Sequence, residues 1–473
     1  MSSVSEATVQ LGRLESRRVL LGLNATQTGF LAVALIVAVT AEYARGATGL
    51  VVTAPVWAGV TGLSLISTGG RPLVEWLPLL TRWGIRDRLG GSSYRLDTAD
   101  VTKQVLSLPG LRPQLAVLRG QSTGAALIHD VRDSTVTAAL VVNGSGFVLQ
   151  GPDAQAAGVA GWGRLLGSLC QQRAVVRLQV LVRSGPGHVD AVQGWWRKQL
   201  ATESSWAARV LADVVADSAT GATAHECYLS LALRTPQAGR RGRRAEALVV
   251  AEQQLQSLEA AARSAGLDVR GWLKPAGLAR HLRSGYDPAG ARVARSDTET
   301  PLLLGPVALD ESWRSVRSDS AHHAVYWIQE WPRSPVHVGF LQPLILAPGA
   351  HRALSITAEP IAPAKALRDI RRAKAEAIAD AAQHHRIGQV EDEATRAEAA
   401  DLSRREQELT SGHGDLRFVG LITVTAGTSE DLDAACAATE AAAAQSMCEL
   451  RRLVGRQASA LVASALPLAR SVT

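Results

Sequence analysis

The chain has 473 residues, with 50 basic side chains against 43 acidic ones for a net charge of +7, and that length holds two or three domains with sizeable cores. Four cysteines (Cys170, Cys227, Cys436 and Cys448), none spaced as C-x-x-C, provide neither a disulfide framework nor a zinc ligand set. Only Lys103, Lys198, Lys274, Lys365 and Lys374 are lysines. No basic stripe has nucleic-acid-binding motif spacing, so nucleic acid is not an expected partner, whereas the basic excess suits an anionic membrane leaflet.

Residues 1 to 18 read as a short amphipathic lead-in, with Val9, Leu11 and Leu14 at roughly helical spacing before Arg17 and Arg18. From Val19 to Ala41 no side chain is charged; Glu42 and Arg45 interrupt, and Gly46 to Gly70 is again free of charge. A membrane span needs about 20 apolar residues at about 1.5 Å rise each, so both runs suffice. The short joint from Tyr43 to Ala47 predicts a two-helix transmembrane hairpin. Arg13, Arg17 and Arg18 precede the first run, and Arg71, Arg82, Arg86 and Arg88 follow the second. The positive-inside rule therefore places both termini in the cytoplasm, in a two-span protein of the cytoplasmic membrane. The competing reading is a buried helical hairpin in a soluble core; no Ala-x-Ala-type site supports a cleavable signal.

Next comes a segment with Pro72 at an expected first helical turn and with Trp76 and Trp83 two turns apart on one face. Trp at headgroup depth with Arg snorkelling outward describes an interfacial helix. Arg71, Pro72, Trp76, Arg82 and Trp83 are thus the expected membrane anchor, in contact with lipid, and Pro78 is expected to kink the helix. The alternative is an amphipathic helix packed on the cytoplasmic domain, and the two are compatible.

Residues 1–95 form this membrane module, and 96–120 read as a linker or short strand pair. Residues 121–295 make a first cytoplasmic α+β unit. Thr135 to Leu149 alternates, and Asn143-Gly144 signals a tight hairpin. Helices are expected at 154–172, 188–216 (with Trp195, Trp196 and Trp206), 245–265 and 275–284, and strands at 175–182, 227–234 and 267–273. Gln237 to Arg244 reads as a solvated basic loop. Residues 296–473 make a second unit. Its strands lie around 324–330, 353–359 and 416–425, with a helix capped by Ser429, and a long charged helix covers 363–411, broken near Gly388. The pattern says α+β, with ferredoxin-like halves and segregated long helices.

Chemistry is harder to find. Gly185-Pro-Gly187 lacks the Lys-Ser/Thr of a Walker loop, no G-x-S-x-G has triad partners in usable order, and H-E-x-x-H is absent. Neither His322-His323 nor His384-His385 can readily converge on one metal, since neighbours diverge on strand and helix alike. Glu391, Asp392 and Glu393 read as a solvated helix face. No catalytic, cofactor-binding or metal-ligating residue is assigned, and the chain is expected not to be an enzyme.

Gly70 to Trp83, following the apolar pair, resembles the PrgI-type membrane module of conjugation-type (type IV) secretion systems. The remainder resembles the actinobacterial extension of that module, on His323-Ala-Val-Tyr-Trp-Ile-Gln-Glu-Trp-Pro332, Thr357 to Ile361, Arg386 to Gln389, Gly412 to Leu421, Glu449 to Gln457 and Leu466-Pro-Leu468. The cytoplasmic part is similar to the non-catalytic N-terminal domain of VirB-type secretion ATPases. The resemblance implies a non-enzymatic scaffold that docks a separately encoded VirB-like ATPase, other secretion subunits or further copies of itself as a homo-oligomer. Trp327 and Trp331 are the aromatics placed at such an interface, against an ordinary core role. An accessory subunit of a type VII secretion system, or a membrane-tethered enzyme or regulator, are the alternatives.

Overall fold

The computed structural model describes residues 8–9, 18–20, 23–68, 71–96, 105–111, 115–143, 146–186, 206–221, 223–235, 241–293, 305–332, 334–347, 349–387 and 393–472. The chain is a mixed α+β protein built on one fourteen-stranded antiparallel sheet. Its strands are β1 (Ser93–Arg95), β2 (Val105–Leu106), β3 (Leu115–Arg119), β4 (Ala126–Asp130), β5 (Thr135–Asn143), β6 (Val175–Pro186), β7 (Thr223–Arg234), β8 (Asp268–Trp272), β9 (Ala308–Glu311), β10 (Val316–Ser318), β11 (Ala321–Glu330), β12 (His351–Ile361), β13 (Asp415–Ala426) and β14 (Glu449–Arg452). The helices are α1 (Ala25–Leu65), α2 (Trp76–Arg88), α3 (Pro152–Gln171), α4 (Trp206–Gly221), α5 (Arg241–Ser264), α6 (Pro275–Tyr286), α7 (Pro288–Val293), α8 (Gln342–Leu346), α9 (Pro363–Ile387), α10 (Glu393–Thr410), α11 (Ser429–Gln445) and α12 (Gln457–Ala465).

The sheet repeats itself. β5–α3–β6, then β7–α5–β8 and α6, is matched by β11–α8–β12, then β13–α11–β14 and α12. In both sets the strands lie in the spatial order fourth, first, third, second: β8-β5-β7-β6 and β14-β11-β13-β12. Each first strand is led in by a hairpin, β4 before β5 and β10 before β11. At both hairpins one non-glycine residue is left-handed, Ser134 and Asp319, each with φ 49°. The halves join through their second strands, β6 against β12, from Leu178 opposite Ala358 to Ser184 opposite Arg352. Each half also carries helical chain between its second and third strands: α4 in the first, and α9 with α10 in the second.

The central strands are continuous apolar runs because both sheet faces are covered. On one face, Leu165 and Leu169 of α3 and Leu255 and Leu258 of α5 pack on Val136, Ala138, Leu178 and Leu231. On the same face of the second half, Leu432 and Cys436 of α11 lie over Ala324, Tyr326, Ile422 and Val424. The opposite face is shared: α6 and α12 lie together over Leu181, Tyr228, Val325 and Ala353. Every residue of α12 except Ser459 is buried. Each buried Leu contributes about 1.5–3 kcal/mol.

These two shared helices cross between halves. Arg283, on α6 of the first half, pairs with Asp319 on the second-half hairpin. Arg470, just beyond α12, pairs with Asp130 at 2.5 Å and Asp133 at 3.2 Å on the first-half hairpin. Gln179 on β6 fixes the crossing: its Nε2 donates to Ala463 O and Leu466 O, and its Oε1 accepts from Ala469 N.

Several expectations change. Asn143 does not open a hairpin: Gly146 is left-handed at φ 64°, Phe147–Leu149 is one 3-10 turn, and α3 follows. β5 is instead flanked by β4, β7 and β8. Of the two readings of 96–120, the short strand pair is the one seen: β2 pairs with β3, and Leu106, Leu108 and Leu115 are buried in the shared core. Arg241 to Arg244 begin α5 rather than lying in a loop, while 236–240 fall outside the described residues. The cap of α11 is Thr428, whose Oγ1 accepts from Asp431 N at 3.1 Å, not Ser429. The long charged segment is two helices, tied by Lys374 to Glu406 at 2.6 Å; 388–392 lie outside the described residues, as does 187–205 with Trp195 and Trp196.

Candidate membrane-facing site

Among the described residues, one helical stretch, Ala25–Leu65, is long and apolar enough to cross a membrane. Gly46 breaks the helix at φ 62°, ψ −152°, inside the expected joint. Its two ends meet: Gln27 Nε2 donates to Ser64 O at 2.8 Å. Gly49 packs so closely that a Cβ there would lie 2.2 Å from Ala41 O. Two hydroxyls inside the stretch turn back on their own helix, Thr40 to Ile36 O and Thr53 to Gly49 O, whereas the buried Ser64 hydroxyl has no partner among the described residues.

Ser67–Thr68 pairs with Arg71–Pro72, and a 3-10 turn, Leu73–Glu75, leads into α2. Pro72 is buried ahead of that turn rather than inside the helix, and the side chain of Arg71 lies outside the described residues. Pro78 is the third residue of α2, where an N–H has no intrahelical partner to lose, so the helix continues unbroken to Arg88.

Trp76 and Trp83 share a face as the spacing predicts, but that face closes on the globular domain. Both rings pack on Trp313 in the β9–β10 turn, Trp83 edge-on at 5.7 Å and Trp76 tilted at 6.3 Å. Arg86 lies over Trp83 at 4.9 Å, donates to Gly455 O at 3.1 Å and pairs with the buried Glu311 at 2.8 Å. A partly buried cation–π contact of this kind is worth about 0.5–2 kcal/mol. Gly455, left-handed at φ 66°, sits so close that a Cβ would be 2.8 Å from Trp313. The opposite face of α2 is open, with Leu77, Leu80 and Ile85 exposed beside Arg82 and Arg88. Sequence reasoning missed Trp313 and Glu311, which carry no local signal that they receive α2.

The two docking candidates separate. Trp331 is core: it meets Phe418 edge-on at 5.6 Å and fills the space over Gly420. Trp327 is half-buried in β11, opposite Leu421 and Arg451.

A cavity of ≈ 80 Å³ opens where the halves meet, on the face of α6, with Arg183, Glu226, Ser284 and His351 among its walls. Glu226 Oε2 accepts from Tyr228 Oη at 2.9 Å, and Arg183 and His281 stand 3.7 and 3.6 Å away. Burial alone would raise the Glu226 carboxyl; the His281 hydrogen bond and the Arg183 charge outweigh it and hold it at about 2. A carboxylate so fixed is an ion-pair anchor, not a proton carrier near neutrality. His323 is fully buried between Ser318, Thr425 and Tyr286 O, and burial lowers it to about 4. His322 does not join it, and the side chains of His384 and His385 lie outside the described residues. Among the described residues no three His, Cys, Asp or Glu side chains group as a metal site. No protein-family model matches this chain, and no curated protein matches it.

Proposed function

We propose that the chain is a two-pass membrane scaffold of a type IV, conjugation-like secretion machine. It holds a duplicated, ferredoxin-like α+β domain against the cytoplasmic face of the membrane and docks a separately encoded VirB-like ATPase. The observation that carries the membrane reading is the meeting of Gln27 with Ser64 across the break at Gly46. A straight helix of 41 residues would separate those ends by about 55–60 Å. Their contact favours two antiparallel passes, and the arginines at both ends favour termini on the cytoplasmic side. The secretion role and its ATPase partner rest on the resemblance of residues 70–83 and of the cytoplasmic landmarks. The rigid seating of α2 on Trp313 supports it, because a scaffold must fix its domain relative to the bilayer.

Two experiments test the reading. In sealed cells, a cysteine at Tyr43 is expected to react with an impermeant maleimide, and one at Arg82 only after lysis; equal protection of both overturns the topology. Mild-detergent pull-down of the intact protein from its native membrane is expected to recover a VirB-like ATPase. A protein that extracts alone and monomeric overturns the scaffold role.

A further inference from the structure

The seam between the two halves holds a charge with no counter-charge. Arg352, on β12, is 5 % exposed. Its Nε donates to Thr439 Oγ1 at 3.0 Å and its Nη1 to Ala347 O at 2.6 Å. Nη2 has no acceptor, and no carboxylate lies within ion-pair distance among the described residues. A buried cation normally finds a partner, because desolvation costs several kcal/mol for an unpaired ion; here burial alone lowers the guanidinium's affinity for its proton, with no acidic group opposing it. Directly opposite Arg352 in the sheet register is Ser184 of β6, 6 % exposed, whose hydroxyl has no hydrogen-bond partner among the described residues.

These two line a small cavity of ≈ 10 Å³, whose remaining walls are Val182, Leu344, Ile345, Leu354 and Ile422, and both also border the ≈ 80 Å³ cavity on the α6 face. The cavity thus presents two donors, one of them cationic, amid aliphatic side chains and no acceptor side chain. A space of about 10–15 Å³ holds one water-sized particle. Phosphate, sulfate or a carboxylate-bearing metabolite does not fit this smaller space. A lone water would satisfy the hydrogen bonds and leave the charge uncompensated.

We propose that Ser184 and Arg352 bind a single monatomic, monovalent anion of chloride size, which joins the two halves across the β6–β12 pair. Ser184 belongs to the first half and Arg352 to the second, so the ion stabilises their junction and tightens the seam as its concentration rises. This inference does not depend on the secretion role.

The test is the thermal midpoint of the full-length protein in detergent, with sodium chloride, sodium bromide or sodium gluconate at one ionic strength. Chloride and bromide are expected to raise the midpoint saturably, and gluconate is not, since stabilisation follows the occupancy of a site present only in the folded state. Arg352→Gln is expected to abolish the difference between anions. Should that variant not fold, Ser184→Ala keeps the guanidinium and removes one donor; it is expected to raise the half-saturating chloride concentration about tenfold, as loss of one hydrogen bond to a charged group implies. Crystals grown in bromide are expected to show an anomalous peak beside Arg352 Nη2. Equal midpoints in chloride and gluconate overturn the proposal in favour of a water, and an anion effect that persists undiminished in Ser184→Ala overturns it in favour of a site elsewhere.

Discussion

Arg470→Ala removes a guanidinium that one half of the protein lends to the other. Its Nη2 sits 2.5 Å from Asp130 and its Nη1 3.2 Å from Asp133. Asp130 is 1 % exposed, and without Arg470 it keeps only the backbone N–H groups of Arg132 and Asp133, at 2.8 and 3.1 Å. Breaking a buried pair by removing one partner costs about 3–5 kcal/mol, because the other charge stays buried without compensation. The two remaining N–H donors place the expected loss near the lower end, about 3 kcal/mol. Arg177 does not take over, being 4.0 Å from Asp133 and paired through Nε with Ala469 O. Removing both charges together, as Asp130→Asn with Arg470→Met, is expected to recover most of the loss, leaving the double variant within about 1 kcal/mol of the parent. Urea unfolding of the full chain in mild detergent, followed by tryptophan fluorescence, measures all three. A loss below about 0.5 kcal/mol in Arg470→Ala, the range of neutral surface substitutions, or a double variant as weak as the single one, refutes the crossing as a stabilising element.

Arg283→Ala, the counterpart in the other half, is expected to cost a similar amount by the same measurement, since Asp319 is also held by the crossing. Trp313→Ala is expected to release α2 while the sheet stays folded, because its loss removes about 3–5 kcal/mol of packing; faster proteolysis between Arg88 and Ser93 in reconstituted bilayers is the readout. A chain beginning at residue 90 is expected to give a folded domain and one beginning at residue 120 an aggregating one, because the latter strips Leu106, Leu108 and Leu115 from the shared core; size-exclusion chromatography distinguishes them. His323 is lowered by burial from 6.5 to about 4, so the unfolded chain binds the proton first. Its stability contribution is complete above about pH 6.5 and falls with acidification toward pH 4, by up to about 1.4 kcal/mol per unit. His323→Gln is expected to flatten that slope in unfolding measured at pH 7.5, 6 and 5.

What could be read from the sequence was local. The apolar runs at 175–182 and 227–234 mark strands buried on both faces, and the composition of 363–411 marks paired charged helices, since both signals lie within one element. The kink expected at Pro78 does not form because the helix starts only at Trp76, after the turn that Pro72 precedes, which leaves Pro78 in the first turn. Asn143-Gly144 carries strong turn chemistry, but the strand that pairs beside it comes from Asp268 to Trp272, far along the chain. Trp76 and Trp83 share a face by spacing alone, yet which side that face meets is decided by Trp313 and Glu311. The repeat is visible in the topology, where Arg283 within α6 and Arg470 just beyond α12 play matching parts. The anion-sized gap beside Arg352 follows from register across the seam, and no single strand contains it.

The placement of α12 has a consequence for biosynthesis. The residues that complete the core of both halves, and the arginine that locks the first-half hairpin, leave the ribosome after the strands of both halves. At about 5–20 residues per second, the sheet face of the first half waits roughly ten to thirty-five seconds between the emergence of α7 and that of Arg470. By then the N-terminal apolar stretch has long been available for membrane insertion. The first half therefore spends that interval with an open, apolar sheet face, and its core closes only when a segment of the second half arrives.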